Sequence, residues 1–183
     1  MSINNYLRNE TAQFLPTPKD GSSLGNEVNE KAFGQPAEAD IVDRLRQSCP
    51  GLLSLVALEG DEIVGHILFS PAKIEGDANT MEGMGLAPVA VLAERQRQGI
   101  GTQLVKRGIE MLKIRGCPFI IVLGHAEYYP RFGFARASTH SIRSQWDGVP
   151  DDAFMILILD PSAMEGVSGV ARYRDEFDQA MKE

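Results

Sequence analysis

Val89–Arg115 reads VAVLAERQRQGIGTQLVKRGIEMLKIR, and the fold is decided by what this stretch can form. An apolar, β-prone run (Val89, Ala90, Val91, Leu92) gives way to a short polar turn. Gly99 and Gly101 then open a segment with apolar residues at Ile100, Leu104, Val105, Ile109, Met111 and Leu112. That recurrence is close to the i, i+3, i+4, i+7 pattern of an amphipathic helix and predicts one over Gly101–Arg115. Gly116 and Pro118 supply the stop. A strand, a glycine turn and a helix N-terminus in succession aim unpaired backbone N–H groups and a positive dipole end at one spot. Such a spot suits an anion, for example a phosphate.

Outward from this unit the chain alternates between strand and turn signals. Upstream, Leu52–Leu58 and Ile63–Ser70 flank Glu59-Gly60-Asp61-Glu62, the pattern of a β-hairpin. The polar, glycine-rich stretch Glu75–Gly85 predicts a loop or second turn, and Leu86–Leu92 a strand. Pro88 cannot donate to a sheet ladder, so a central strand here requires a bulge. Downstream, Phe119–Leu123 is short and apolar enough for a buried parallel strand. Ala126–Tyr129 suggests one helical turn broken by Pro130, Arg131–Phe134 starts an extended piece, and Phe154–Leu159 is the last clear strand after a polar loop. A strand over Tyr6–Phe14, helices over Leu24–Phe33 and Glu38–Gln47, and a helix over Tyr173–Met181 complete the expectation. The order predicts an α/β chain with a mixed sheet carrying helices on its faces. One domain over 1–183 is expected, with 160–183 a tail of no evident fold.

Composition narrows the function. The 183 residues suffice for one full core. A net charge of -7 disfavours nucleic acid as a partner and weakly favours cationic or amine substrates. No apolar run reaches membrane-spanning length, and MSINNYLRNE lacks a signal-peptide core. Two cysteines without CxxC spacing make a reducing, cytoplasmic setting the default expectation.

Gly99-Ile100-Gly101 is not a dinucleotide fingerprint, because Leu104 stands where a third glycine is needed. There is no GxxxxGK[ST] either. The wider segment Gln96-Arg97-Gln98-Gly99-Ile100-Gly101 fits Q/R-x-x-G-x-G/A between a strand and a helix. It resembles the pyrophosphate-binding motif of the GNAT superfamily of N-acetyltransferases. A second segment, Tyr128-Tyr129-Pro130-Arg131-Phe132-Gly133-Phe134, resembles that family's FYxxxGF, with Tyr129 in the tyrosine position. The resemblance covers about Leu52–Phe134. With GHILFS (Gly65–Ser70) and LAPVAV (Leu86–Val91), it comes nearest to the YhbS-like acetyltransferases. Gly124-His125-Ala126 departs from the Asn and Ala that many members carry ahead of FY.

The resemblance implies the GNAT fold, a central, mostly antiparallel sheet with splayed strands, and acetyl-CoA as co-substrate. The turn residues Gln96, Arg97, Gln98, Gly99, Ile100, Gly101 and Thr102 would hold its pyrophosphate. Val89, Ala90 and Val91 would pair with its pantetheine arm. The reaction would be direct transfer to a primary amine of a small molecule or peptide within a ternary complex. The competing expectation is a non-catalytic acyl-CoA-binding or sensing protein on the same fold. The oligomeric state is open to a homodimer.

Acetyl transfer needs a neutral nucleophile, a stabilised oxyanion and a proton for the departing thiolate. A phenol near pKa roughly 10 can protonate a thiolate without being ionised at rest. Tyr129 is the candidate acid and Tyr128 its fallback. The base is unassigned among Glu82, Glu94, His125 and a water chain. A backbone N–H in Val89–Val91 is the expected oxyanion donor, and Arg95 and Arg97 could reach the phosphates. Cys117 reads as a buried, inert thiol. His66 and His140 read as structural or solvated, with no metal expected. The acidic loop Asp147–Asp152 beside Trp146 reads as solvated ahead of any role in receiving a cation.

Overall fold

A computed structural model of the chain describes residues 12–16, 36–77 and 79–178, with only the backbone considered at 36–40. The elements are β1 (Gln13–Pro16), α1 (Pro36–Ser48), β2 (Leu53–Glu59), β3 (Glu62–Glu75), β4 (Thr80–Val91), α2 (Ile100–Ile114), β5 (Phe119–Leu123), β6 (Ala135–Arg136), β7 (Ile142–Ser144), β8 (Phe154–Ile158) and β9 (Gly169–Arg172). Among the described residues these nine strands form one sheet, in the order β1-β2-β3-β4-β5-β8-β6. β9 runs beside β3 past the start of β2, and β7 runs beside β9. Only β4–β5 and β7–β9 pair in parallel. This is the mixed, mostly antiparallel sheet expected of the GNAT fold.

The sheet has a separate apolar layer on each face. On one face α2 buries Ile100, Leu104, Val105 and Leu112 against Leu55, Ile67, Phe69 and Leu86. Its helical periodicity is the cause, since those positions form one stripe. On the other face α1 contributes Ile41, Val42 and Leu45, and the chain after β8 contributes Met164, Ala171, Tyr173 and Phe177. No helix among the described residues is long and apolar enough to cross a membrane.

The bulge required by Pro88 is present. Ile67 lies opposite Val89 and Phe69 opposite Leu86, so Ala87 and Pro88 together face Leu68. Helix α2 begins one residue earlier than its periodicity suggested, with Gly99 as N-cap at φ 88°.

Several expectations are corrected. Glu75–Gly85, expected as a loop or second turn, is mostly strand: β3 runs to Glu75 and β4 starts at Thr80. Its glycines signal close packing instead. A Cβ on Gly83 would fall 2.6 Å from the Phe119 ring, and one on Gly85 would fall 2.5 Å from the Tyr173 ring. The helical turn predicted at 126–129 lies at Tyr129–Phe132, with Pro130 in its first turn, where a missing N–H costs nothing. The polar loop contains β7, and Phe154–Ile158 is followed by a further strand, β9. Among described residues, the helix predicted over Tyr173–Met181 is a single 3-10 turn, Asp175–Phe177. Of the strand predicted over Tyr6–Phe14, the described part begins at Ala12, and β1 starts at Gln13 and runs on to Pro16; its earlier part and the helix over Leu24–Phe33 lie outside the described residues.

His66 is fully buried on β3, with Nε2 2.9 Å from the Ser54 hydroxyl. Burial, reinforced by the nearby Arg46 charge, pushes its pKa down to about 3. The unfolded chain therefore binds a proton that the folded one refuses. The stability associated with neutral His66 is complete above about pH 6.5 and is lost as pH falls from there towards 3. We expect urea unfolding to show a loss of roughly 1–2 kcal/mol between pH 6.5 and 5. His66→Gln should flatten that limb, and an unchanged limb in the variant would assign the acid sensitivity elsewhere.

Candidate active site

The site begins where two parallel strands separate. β4 and β5 pair only over Met84–Leu86 with Ile120–Val122. Gly124 N–H donates to the C=O of Ala153, the residue just before β8, at 3.0 Å, so by strand alternation Ile121 and Leu123 direct their backbone groups towards β4. The last paired rung, Leu86 with Val122, sets Leu123 N–H against the C=O of Leu86, and the next bond of the ladder would bring the N–H of residue 88 to Leu123 C=O. Residue 88 is proline and has no N–H. The ladder stops there, and β4 continues to Val91 paired with β3 but not with β5.

The same alternation fixes what β4 offers to the gap. Leu92 N–H donates to Val64 C=O at 3.0 Å, so residues 90 and 92 address β3 while Val89 and Val91 direct N–H and C=O into the opening. Gln96 Nε2 donates to Val91 C=O at 3.1 Å and ties the turn back to the strand. Arg97 (φ 60°) and Gly99 (φ 88°) are both left-handed, and this reverses the chain into α2. The first intrahelical bond is Gln103 N–H to Gly99 C=O, 3.0 Å. The N–H groups of Ile100, Gly101 and Thr102 precede it and have no partner within the helix. No acidic side chain occupies the first turn, so the positive end of a 15-residue helix stays open.

A cavity of about 620 Å³ joins these parts. Val89, Val91, Gln96, Arg97, Gly99, Ile100, Gly101 and Thr102 line it, as do Tyr128 and Tyr129. Ala90 and Gln98 are not among its lining residues: Ala90 is buried against β3, and Gln98 Nε2 donates to Glu94 C=O. Arg95 lies at the rim, but its Nε is 2.8 Å from Glu59, so this charge is engaged by the β2–β3 hairpin. Arg97 is exposed.

The tyrosines separate by environment. Tyr129 is 8 % exposed, with its ring edge-on to Phe134 and Tyr128 at centroid distances of 5.6 and 5.1 Å. It rests on Gly124, where a Cβ would fall 2.5 Å from the ring. Burial, then the neighbouring Tyr128, push its pKa up to about 12, so the phenol holds its proton at neutral pH. Tyr128 is half-buried, with Arg131 4.6 Å above its ring. Its hydroxyl lies 3.2 Å from where a Gly101 Cβ would be, at the helix N-terminus.

The remaining candidates are dispersed. His125 lines the cavity and is exposed. Glu82 sits at the far end of β4 opposite Lys73, and Glu94 on an exposed 3-10 turn. The Cys117 thiol donates to Phe119 C=O at 3.1 Å, and burial pushes its pKa up, as expected for an inert thiol. Trp146 faces inward: it stacks on Tyr173, and its indole N–H donates to Asp178 at 2.9 Å. Among the described residues no cluster of His, Cys, Asp or Glu could hold a metal ion. Sequence reasoning missed Tyr173, whose hydroxyl accepts from Leu123 N–H at the end of β5. No local signal could have found it.

Comparison with known proteins agrees with this geometry. Residues 23–137 match the acetyltransferase (GNAT) domain model. The N-acetyltransferase YhbS of Escherichia coli K12 is 33% identical over 150 residues, covering 81% of this chain and 88% of YhbS. N-acetyltransferase YjhQ of the same strain is 44% identical over 123 residues, covering 66% of this chain and 68% of YjhQ. The crystal structure of E. coli YhbS in complex with CoA superposes with a TM-score of 0.81 at 31% identity, covering 91% of this chain and 92% of that one. A GNAT acetyltransferase from Brucella melitensis in complex with acetyl-CoA gives 0.73 at 31% identity, covering 92% and 99%. The chain belongs to the GNAT family of acetyltransferases.

Proposed function

We propose that this protein, as one N-acetyltransferase domain, transfers an acetyl group from acetyl-CoA to a primary amine by direct attack in a ternary complex. The observation that carries the reading is the convergence in one cavity of an open helix N-terminus, an unpaired β4 edge and a buried, protonated tyrosine. The N–H groups of Ile100, Gly101 and Thr102 receive the pyrophosphate, to which a helix dipole and orphan donors are complementary. Val89 N–H and C=O and Val91 N–H offer an edge on which the pantetheine amides pair as an added strand, Val91 C=O being held by Gln96. The relatives that carry CoA or acetyl-CoA support this assignment.

In the reaction the neutral amine attacks the thioester carbonyl, a C–N bond forms, and negative charge develops on the oxygen. A β4 N–H on the open edge, at Val89 or Val91, stabilises that charge. Collapse breaks the C–S bond, Tyr129 gives its proton to the thiolate, and the proton released by the acetylated nitrogen restores the phenol. The burial that raises the phenol also disfavours a free thiolate in the same cavity, so the two shifts run together. Tyr129 is preferred to Tyr128 because it sits beside the end of β5, where β4 and β5 part, whereas the Tyr128 hydroxyl lies at the phosphate end. A lysine-like amine, with pKa roughly 10.4, loses its proton before attack to a base that is not assigned to a residue.

Acetyl-CoA titrated during thermal unfolding tests the reading. Ligand at a hundred times its dissociation constant should add about 2.7 kcal/mol, which for a chain of this size raises Tm by roughly 5–10 °C. A flat Tm at saturating acetyl-CoA would overturn the assignment. A screen of polyamines, amino acids, aminoglycosides and peptides for thiol release then separates a transferase from a protein that binds acyl-CoA without turnover.

A further inference from the structure

We infer that Tyr173, fifty residues from the strand it touches, is a positioning residue for acyl transfer that clamps the β4–β5 fork and thereby the seat of Tyr129. This rests on the transferase reading above. The Tyr173 hydroxyl accepts from Leu123 N–H at 3.1 Å and donates to Ile121 C=O at 3.3 Å. Both groups lie on the edge of β5 that addresses β4. Leu123 N–H is the last β5 donor facing β4 before Pro88 ends the ladder, and a buried N–H without an acceptor costs about 1–3 kcal/mol. The Tyr173 hydroxyl bonds to it and to Ile121 C=O at the rung where the two strands part, and so holds the end of the paired stretch.

The ring is built into this position from three sides. Trp146 stacks on it at 5.4 Å, Phe177 meets it edge-on at 5.3 Å, and its backbone N–H donates to Gln145 Oε1 at 2.6 Å. Gly85 on β4 leaves room for it, since any Cβ there would collide with the ring. Tyr173 therefore touches the last paired stretch of both strands, β5 through its hydroxyl and β4 through its ring. The residue after Leu123 is Gly124, the surface against which the Tyr129 ring lies. A shift of Leu123 moves that surface, and misplacement by about an ångström at a reacting centre costs on the order of 10²-fold in rate.

Tyr173→Phe keeps the ring and removes only the hydroxyl, and Phe177→Leu is its companion, loosening the aromatic cluster while leaving the hydroxyl in place. The first readout is amide hydrogen exchange at Leu123 in the unliganded protein. It should quicken at least tenfold in Tyr173→Phe and stay near wild type in Phe177→Leu. The second is the split between CoA affinity and thiol release from acetyl-CoA, to water or to the acceptor returned by the screen. Tyr173→Phe should lower kcat about tenfold or more with the CoA Kd within threefold, because the pyrophosphate turn is untouched. Phe177→Leu should lower Tm without that split. Unchanged Leu123 exchange or unchanged kcat in Tyr173→Phe would overturn the clamp, as would an equal kcat loss in Phe177→Leu. A wild-type protein that binds no CoA overturns the transferase reading itself, and the Leu123 exchange in the unliganded protein still decides whether the clamp exists.

Discussion

Tyr129→Phe is expected to lower kcat for acetyl transfer by about 10²–10⁴-fold, the range of a lost general acid, while the Kd for acetyl-CoA stays within a few-fold. The expectation follows from where the hydroxyl sits and what surrounds the ring. The ring is buried between Gly124, Phe134 and Tyr128, so phenylalanine fills the same space and the fold is retained. Only the proton donor goes. Because a thiolate leaving without a proton is the step affected, the loss should appear in kcat and kcat/KM alike and not in KM. Steady-state kinetics with an acceptor from the screen provide the measurement. Tyr128→Phe serves as the comparison, and its kcat should remain near wild type. A Tyr129→Phe enzyme with full turnover would remove this residue from the chemistry.

Gly101→Val should weaken CoA binding by roughly 30–100-fold with little effect on the fold. Gly101 is the second residue of α2, and a Cβ there would face the Tyr128 hydroxyl at 3.2 Å and Val91 Cγ2 at 3.5 Å, inside the cavity. On helix propensity valine is no worse than the glycine it replaces, which lies about 0.8–1.0 kcal/mol below alanine, so Tm should change by no more than a few degrees. The branched side chain instead stands over the N–H groups of the helix N-terminus and keeps an anion out of hydrogen-bonding range. Losing one hydrogen bond to a charged group, at about 1.5–3 kcal/mol, gives the stated factor, since 1.4 kcal/mol is tenfold. Isothermal titration with CoA measures it directly. Wild-type affinity in this variant would show that the pyrophosphate lies elsewhere.

Much of the candidate site was legible in Val89–Arg115 because its signals are local. Helical periodicity, the stop at Gly116 and Pro118, and the missing N–H of Pro88 depend on nearest neighbours in the chain. So does the hairpin around Gly60. The glycines at 83 and 85 were misread for the same reason. Locally they resemble a loop, but their bare α-carbons are needed by the rings of Phe119 and Tyr173, which arrive from elsewhere in the chain. Arg95 reads as a phosphate ligand until the hairpin brings Glu59 to 2.8 Å. β7 and β9 are short and partly polar, and they are strands because they pair with each other and with β3.

The sequence by itself determined the strand–turn–helix unit and the bulge at Pro88, since each rests on the stereochemistry of adjacent residues, and its motifs at Gln96–Gly101 and Tyr128–Phe134 carried the resemblance to the family. Only the tertiary structure decided which tyrosine is buried, which arginine is engaged and which distant side chain caps the fork. Burial, ion pairing and the capping of Leu123 N–H by Tyr173 join groups far apart along the chain, and no neighbouring residue encodes them.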